Sequence, residues 1–242
     1  MRQWAGKRYW LIGASEGLGR ALAHELSRAG AEVILSARNA ERLETLAATL
    51  PGPACAVPID IADGASVQAA AEAAGPVDGM VFLAGVYWPM AATDWDAEKA
   101  ETMADVNFSG ALRCLGAVVP PMVARGAGHI VLTGSLSGYR GLPGAVGYGA
   151  SKAAVMSLAE TLRLDLKDTG VDVQLANPGF IRTRLTDKNN FAMPQIMEPE
   201  DAASRMMRLM NTHRFRADFP WPFAGVFRWG RFLPEWAWSR MM

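Results

Sequence analysis

Apolar residues along the chain alternate between two rhythms. Short, nearly continuous apolar runs cover residues 9–13, 32–36, 55–59, 77–84, 129–133 and 171–176. Runs of that length, bounded by turn residues, read as strands. Between them the apolar positions fall at helical spacing. Leu18, Ala21, Leu22 and Leu26 mark a helix over 17–29, and a second over 40–50 is stopped by Pro51-Gly52. An alanine-rich helix is predicted over 63–74, a long helical stretch over 94–125 and another long helix over 148–168. Strands alternating with helices predict a parallel sheet covered on both faces. Right-handed crossovers make it a doubly wound, Rossmann-type α/β fold of three α/β/α layers. The whole chain, 1–242, reads as one domain of this kind.

The pattern changes only at the end. Residues 215–242 become rich in Phe, Trp, Pro and Arg, and read as an extension of the domain. Composition narrows the function further. Lys plus Arg number 24 and Asp plus Glu 24, so no global basic field points to nucleic acid. No uninterrupted apolar run reaches about 18 residues, so no transmembrane segment is read. The first residues lack the apolar core of a secretory signal. Cys55 and Cys114 have neither CxxC spacing nor a histidine cluster. They are expected to be buried thiols in a reducing cytoplasm, with no metal site.

Gly13, Ser15, Glu16, Gly17, Leu18 and Gly19 lie in the turn between the first strand and the first helix. Glycines there allow close backbone approach to a pyrophosphate, and the helix N-terminus offers free N–H groups. The second strand ends in Ser36-Ala37-Arg38-Asn39. An acidic residue at that place would bind both ribose hydroxyls of NAD. Ala37 removes such a carboxylate, and Arg38 can pair with a 2′-phosphate. NADP(H) is therefore expected over NAD(H), although Glu16 brings a negative charge to the glycine turn.

Tyr148 and Lys152 stand four residues apart at the start of a helix, on one face. Ser135 lies thirteen residues before Tyr148, after the fifth strand. A phenol, an ammonium and a hydroxyl that converge can move a proton to or from a carbonyl oxygen. A free tyrosine titrates near ~10, and a nearby cation lowers that value.

Gly134-Ser135-Leu136-Ser137-Gly138 and Tyr148-Gly149-Ala150-Ser151-Lys152, together with the Gly-x-x-x-Gly-x-Gly turn, resemble the short-chain dehydrogenase/reductase family. The resemblance covers roughly residues 8 to 210. It implies that Tyr148 is the general acid/base, that Lys152 also holds the nicotinamide ribose, and that Ser135 bonds the substrate oxygen. It implies that Asn107 binds a water linking the lysine to solvent. It assigns Asp60 and Ile61 to the adenine, and Ala84 and Gly85 to close backbone passage by the cofactor. Pro178 and Gly179 would bend the chain beneath the nicotinamide, Ile181 would meet its carboxamide, and Thr183 would bond the carboxamide or the diphosphate. The chain departs from the family at Ile12, where Thr is usual, and at Leu83, where Asn is usual. Ser137 reads as a loop hydroxyl.

These readings lead to an oxidoreductase that moves a hydride between NADP(H) and a carbonyl or secondary alcohol. Residues 184–199 read as the substrate loop. Asn189, Asn190, Phe191, Met193, Ile196 and Met197 make it mostly apolar, so an apolar small molecule is expected, with Asp187 and Lys188 solvated. The alternatives are a silent nucleotide-binding or scaffolding protein, and an epimerase with transient hydride transfer. A homodimer or homotetramer in the cytoplasm is expected. The aromatic extension has three readings, in order: pocket cover, subunit contact and peripheral membrane contact.

Overall fold

The structure, a computed structural model, describes residues 2–242. Seven parallel strands form one sheet in the order β3-β2-β1-β4-β5-β6-β7. They are β1 (Arg8–Ile12), β2 (Glu32–Ser36), β3 (Ala54–Ala56), β4 (Gly79–Phe82), β5 (Gly128–Thr133), β6 (Val171–Pro178) and β7 (Arg216–Phe219). The helices are α1 (Gly17–Arg28), α2 (Ala40–Thr49), α3 (Gly64–Ala74), α4 (Ala97–Ala104), α5 (Gly110–Arg125), α6 (Val146–Asp165), α7 (Pro199–Met210), α8 (Phe223–Gly230) and α9 (Glu235–Met241).

Successive strand residues point to opposite faces, so each strand feeds two cores. Tyr9, Leu11, Val33, Leu35, Val81 and Val131 pack under Leu22 and Leu26 of α1 and Met206 and Met210 of α7. Trp10, Ile12, Ile34, Met80, Phe82, Ile130 and Leu132 pack under α3, α5 and α6. Both faces are covered, which is why the strands read as nearly unbroken apolar runs.

The sequence expectation holds for six strands and misses β7. That strand has only four residues, Arg-Ala-Asp-Phe, mostly half-buried at the sheet margin, and carries no apolar run. It lies inside the stretch read as an extension. β3 and β4 are shorter than expected, with Pro58 lying beyond the end of β3. The helical stretch 94–125 is interrupted by a π-turn at Asp105–Ser109. The continuous run Ala97–Arg125 is long and apolar enough to cross a membrane by length and composition. Here Met103, Ala111, Cys114, Leu115, Val118 and Met122 turn inward, so it serves as a helix of the outer layer. Cys114 is buried as expected. Cys55 is exposed, because it sits on the marginal strand β3.

A buried polar chain ties the sheet to α7. The Gln174 amide nitrogen donates toward the carbonyls of Leu209, Thr212 and Arg214 at 3.1, 2.9 and 2.8 Å. Its Oε1 must therefore accept from His129 Nε2, 2.9 Å away. That leaves His129 Nδ1 to accept from the Tyr9 hydroxyl at 2.8 Å. The tautomer is set by the carbonyls that hold Gln174. Burial, aided by Arg2, pushes the imidazole down to about 4.

Candidate active site

The strand order reverses between β1 and β4, and a crevice opens there at the carboxyl ends of the strands. Its volume is about 470 Å³, the size of a small-molecule site. At the floor lies the turn between β1 and α1. A Cβ on Gly13, at φ +97°, would stand 2.5 Å from the Ala84 nitrogen, and one on Gly19 would stand 2.0 Å from the Gly13 carbonyl. Only glycine fits at either position. Glu16 precedes α1 with no side-chain cap. The first-turn N–H groups therefore remain available for an anion. The Gly13 and Ala14 amides both donate to the Ser36 carbonyl, at 2.7 and 3.1 Å. Backbone bonds thus hold the turn where Ile12 replaces the threonine. Leu83 packs into the core instead of carrying an amide.

Ala37, Arg38, Asp60 and Ile61 line one part of the crevice. Arg38 is exposed there. Asp60 Oδ1 accepts from the Ala62 amide at 3.0 Å, so part of its role is to hold the turn before α3. The buried Ile61 has its carbonyl bonded by Arg113 at 3.1 Å. Glu16 is not an isolated charge. Arg42 reaches it at 2.9 Å and Arg184 at 3.3 Å. These two arginines line the same crevice and escaped sequence reading. Arg42 could have been found, since it lies one helical turn beyond Arg38. Arg184 could not, because only the fold brings its loop over the glycine turn.

Across the crevice, β6 ends at Pro178, and the Gly179 amide donates to the Phe219 carbonyl at 2.7 Å. Ile181 bridges to Met197, which returns the loop to the domain. Thr183 packs over the glycine turn; a Cβ on Gly17 would lie 2.8 Å from its Cγ2. Asp187 is exposed as expected. Lys188 is not simply solvated: its ammonium donates to the Tyr87 carbonyl at 2.7 Å and sits 4.5 Å from the Trp88 ring centroid. The Tyr87 hydroxyl in turn donates to Asn189 Oδ1 at 2.9 Å. Residues 184–199 are thus fastened to the segment after β4.

Tyr148 and Lys152, on the first turns of α6, face the crevice. Tyr87 packs edge-on against Tyr148, with ring centroids 4.9 Å apart. Burial pushes the phenol up to about 12, against the downward pull of a hydrogen bond with Ser135. Ser137 lies closer to this group than a plain loop hydroxyl: its Oγ donates to Ser135 Oγ at 2.9 Å. The Lys152 ammonium is buried and donates to the Thr133 carbonyl at 2.9 Å. Burial lowers it to about 8. It stands 5.8 Å from the Tyr148 ring centroid. Burial raises the phenol and lowers the amine, and the downward pull on the phenol comes from Ser135.

Asn107 is held by its own hydrogen bonds. It sits in the π-turn between α4 and α5 and is fully buried. Its Oδ1 accepts from the Val86 amide at 2.7 Å, and its amide nitrogen donates to the Val86 carbonyl and Ser151 Oγ, both at 3.0 Å. The side chain clamps the backbone beside Gly85, leaving no side-chain donor free for a water. Among the described residues no acidic, cysteine or histidine cluster could hold a metal.

The glycine cradle, the open helix N-terminus and the buried lysine fit a nicotinamide dinucleotide. Comparisons with known proteins agree. The short chain dehydrogenase family matches residues 7–193. An uncharacterised oxidoreductase of Myxococcus xanthus (strain DK1622) is 38% identical over 232 residues, covering 93% of this chain and 92% of its own length. A short-chain dehydrogenase from Burkholderia cenocepacia J2315 in complex with NADP has a TM-score of 0.88 at 25% identity, covering 99% of this chain and 98% of that one. Another, from Sphingobium yanoikuyae in complex with NADPH, has a TM-score of 0.84 at 27% identity over 98% of this chain and 95% of that one. The chain belongs to the short-chain dehydrogenase/reductase family and is an oxidoreductase of that class.

Proposed function

We propose that the protein interconverts a carbonyl and a secondary alcohol of an apolar small molecule, using NADP(H), with Tyr148 as general acid/base. The observation that carries this reading is the placement of Tyr148, Ser135 and Lys152 around one end of the glycine-floored crevice. The nicotinamide supplies hydride chemistry when bound. Gly13, Ser15, Gly17, Leu18 and Gly19 would hold its pyrophosphate, with Ala84, Gly85, Pro178, Gly179, Ile181 and Thr183 around the nicotinamide half. Tyr148 donates its proton to the carbonyl oxygen in reduction and takes it back in oxidation. Ser135 orients that oxygen by a hydrogen bond. Lys152 binds the ribose and lies within the same buried cluster as the phenol. Asn107 acts as a positioning residue through Val86 and Ser151.

A phenol held near 12 is a proton donor at neutral pH, so reduction uses its resting form. Oxidation needs phenolate, which grows about tenfold per pH unit below the phenol's pKa. Alcohol oxidation is therefore expected to climb between about pH 7 and pH 9, as measured by initial rates. A flat profile, with chemistry shown to be rate-limiting, would remove the phenol from the reaction.

Arg38, assisted by Arg42, favours NADP over NAD, and Glu16 is offset by its two arginine partners. Ala37→Asp sets a carboxylate against the 2′-phosphate. The kcat/KM ratio for NADPH over NADH is expected to fall at least roughly tenfold, about 1.4 kcal/mol or more. An unchanged ratio would argue against this specificity site. A panel of ketones, aldehydes and secondary alcohols with each cofactor, followed by nicotinamide absorbance, tests the whole reading; no turnover on any of them would defeat it. The apolar loop 184–199 directs that panel toward aromatic and alkyl ketones. A cytoplasmic homo-oligomer is part of the same proposal.

A further inference from the structure

The last two helices are amphipathic, with one face already used. Ala224 and Phe227 of α8 and Trp238 of α9 form a small core with Leu136. Trp238 Nε1 donates to the Gly141 carbonyl at 2.9 Å. Arg140 donates to the carbonyls of Gly230 and Leu233 at 2.7 and 2.6 Å and pairs with Glu235 at 3.0 Å. The opposite face is exposed. Trp221, Trp229, Phe232 and Trp236 are 69%, 66%, 70% and 64% exposed, and Val226 and Met241 are exposed as well. Four large aromatic rings in water within one short segment exceed the scattered apolar exposure of ordinary surfaces.

Charge on this segment is net positive. Residues 219–242 hold Arg228, Arg231 and Arg240 against Glu235, a net of +2 on a chain whose total is zero. Glu235 is exposed and pairs with Arg140. Arg231 lies 5.2 Å from the Phe232 ring centroid, and Arg240 lies 5.8 Å from that of Trp236. Arg228 reaches back toward the buried Asp218 at 3.7 Å. Tryptophan beside arginine is the pairing found at the headgroup level of membranes, where the ring is half wet and the cation meets phosphate. A two-fold contact with a second copy would set the same arginines opposite each other with little acid to answer them. A second aromatic row runs from Phe227 through Phe223 and Phe180 to the half-exposed Phe191 of the loop 184–199, with centroids 5.0, 5.8 and 5.9 Å apart.

We propose that the outer face of α8 and α9 docks peripherally on an anionic lipid bilayer, with Trp221, Trp229, Phe232 and Trp236 at headgroup depth and the arginines on lipid phosphates. The docking needs no turnover and stands apart from the proposed chemistry. The test is flotation of the full chain with phosphatidylcholine vesicles, with and without phosphatidylglycerol, together with tryptophan emission. The intact protein is expected to partition at least roughly tenfold better with the anionic lipid, since each basic side chain near such a surface is worth about a fivefold gain. Its emission should shift to the blue. The W229S/W236S variant is expected to lose both partition and shift. The R228E/R231E variant should keep weak binding and lose the preference for phosphatidylglycerol. Both pairs lie outside the crevice, so NADPH binding, measured alongside, checks folding. If one pair fails that check, the other still decides. Absence of vesicle binding, or binding indifferent to both pairs, overturns the proposal. So does sedimentation showing a dimer that W229S/W236S splits, which would give the face to a second copy.

Discussion

Tyr148→Phe is expected to lower kcat/KM about a thousandfold in either direction, within the range for loss of a positioned acid or base. The ring remains, so its edge-on packing with Tyr87 survives and the crevice keeps its shape. Only the hydroxyl is lost. NADPH affinity, read by fluorescence titration, should change less than about twofold, a difference of under 0.5 kcal/mol. Lys152→Met should behave differently. Its ammonium is bonded to the Thr133 carbonyl at the crevice, so both affinity and turnover should fall. If Tyr148→Phe instead weakened cofactor binding and spared kcat, the phenol would be a binding group and the chemistry would lie elsewhere.

The second large effect concerns stability. His129 is held neutral between Tyr9 and Gln174, with its imidazole near 4 in the fold. A free histidine titrates near ~6.5, so the folded value is depressed. The stability tied to the neutral ring is fully present above about pH 6.5 and is lost as pH falls through about 4. The difference corresponds to about 3 kcal/mol, a large share of the ~5–15 kcal/mol that holds a domain together. Urea midpoints of the intact chain should therefore fall steeply over that interval. His129→Leu should be less stable at pH 7 by about 2–4 kcal/mol, because the Tyr9 hydroxyl and the Gln174 carbonyl lose their partner. Its decline with acid should be shallower. Parallel curves for the two proteins would show that other groups drive the acid transition.

Much of the fold was legible because both sheet faces are buried. Residues 32–36, read as a strand from the sequence, are β2 to the residue. The glycine turn was legible for a related reason: Gly13 and Gly19 have no room for a Cβ, so the spacing reports a contact. β7 was not legible, since a half-buried marginal strand of Arg-Ala-Asp-Phe needs no apolar run. The Tyr148–Lys152 pair was found by i, i+4 spacing, but spacing carries no measure of burial. Burial decides that the phenol rises and the amine falls. Asn107 shows the same limit. The π-turn that aims its amide at Val86 leaves no mark in hydrophobic periodicity. Arg184 needed the loop after β6 to fold back onto the glycine turn.

The loop from Ser135 to Ala145 carries at its start the hydroxyl bonded to Tyr148, and further along the Arg140 and Gly141 that grip the terminal helices. Tyr139, in the same loop, donates to Asp218 of β7 at 2.8 Å. The Ser135 hydroxyl and the last two helices are thus braced by one buttress. A push on the outer helices would be transmitted to the Ser135–Tyr148 contact as a change in alignment, before any strand of the sheet had to yield.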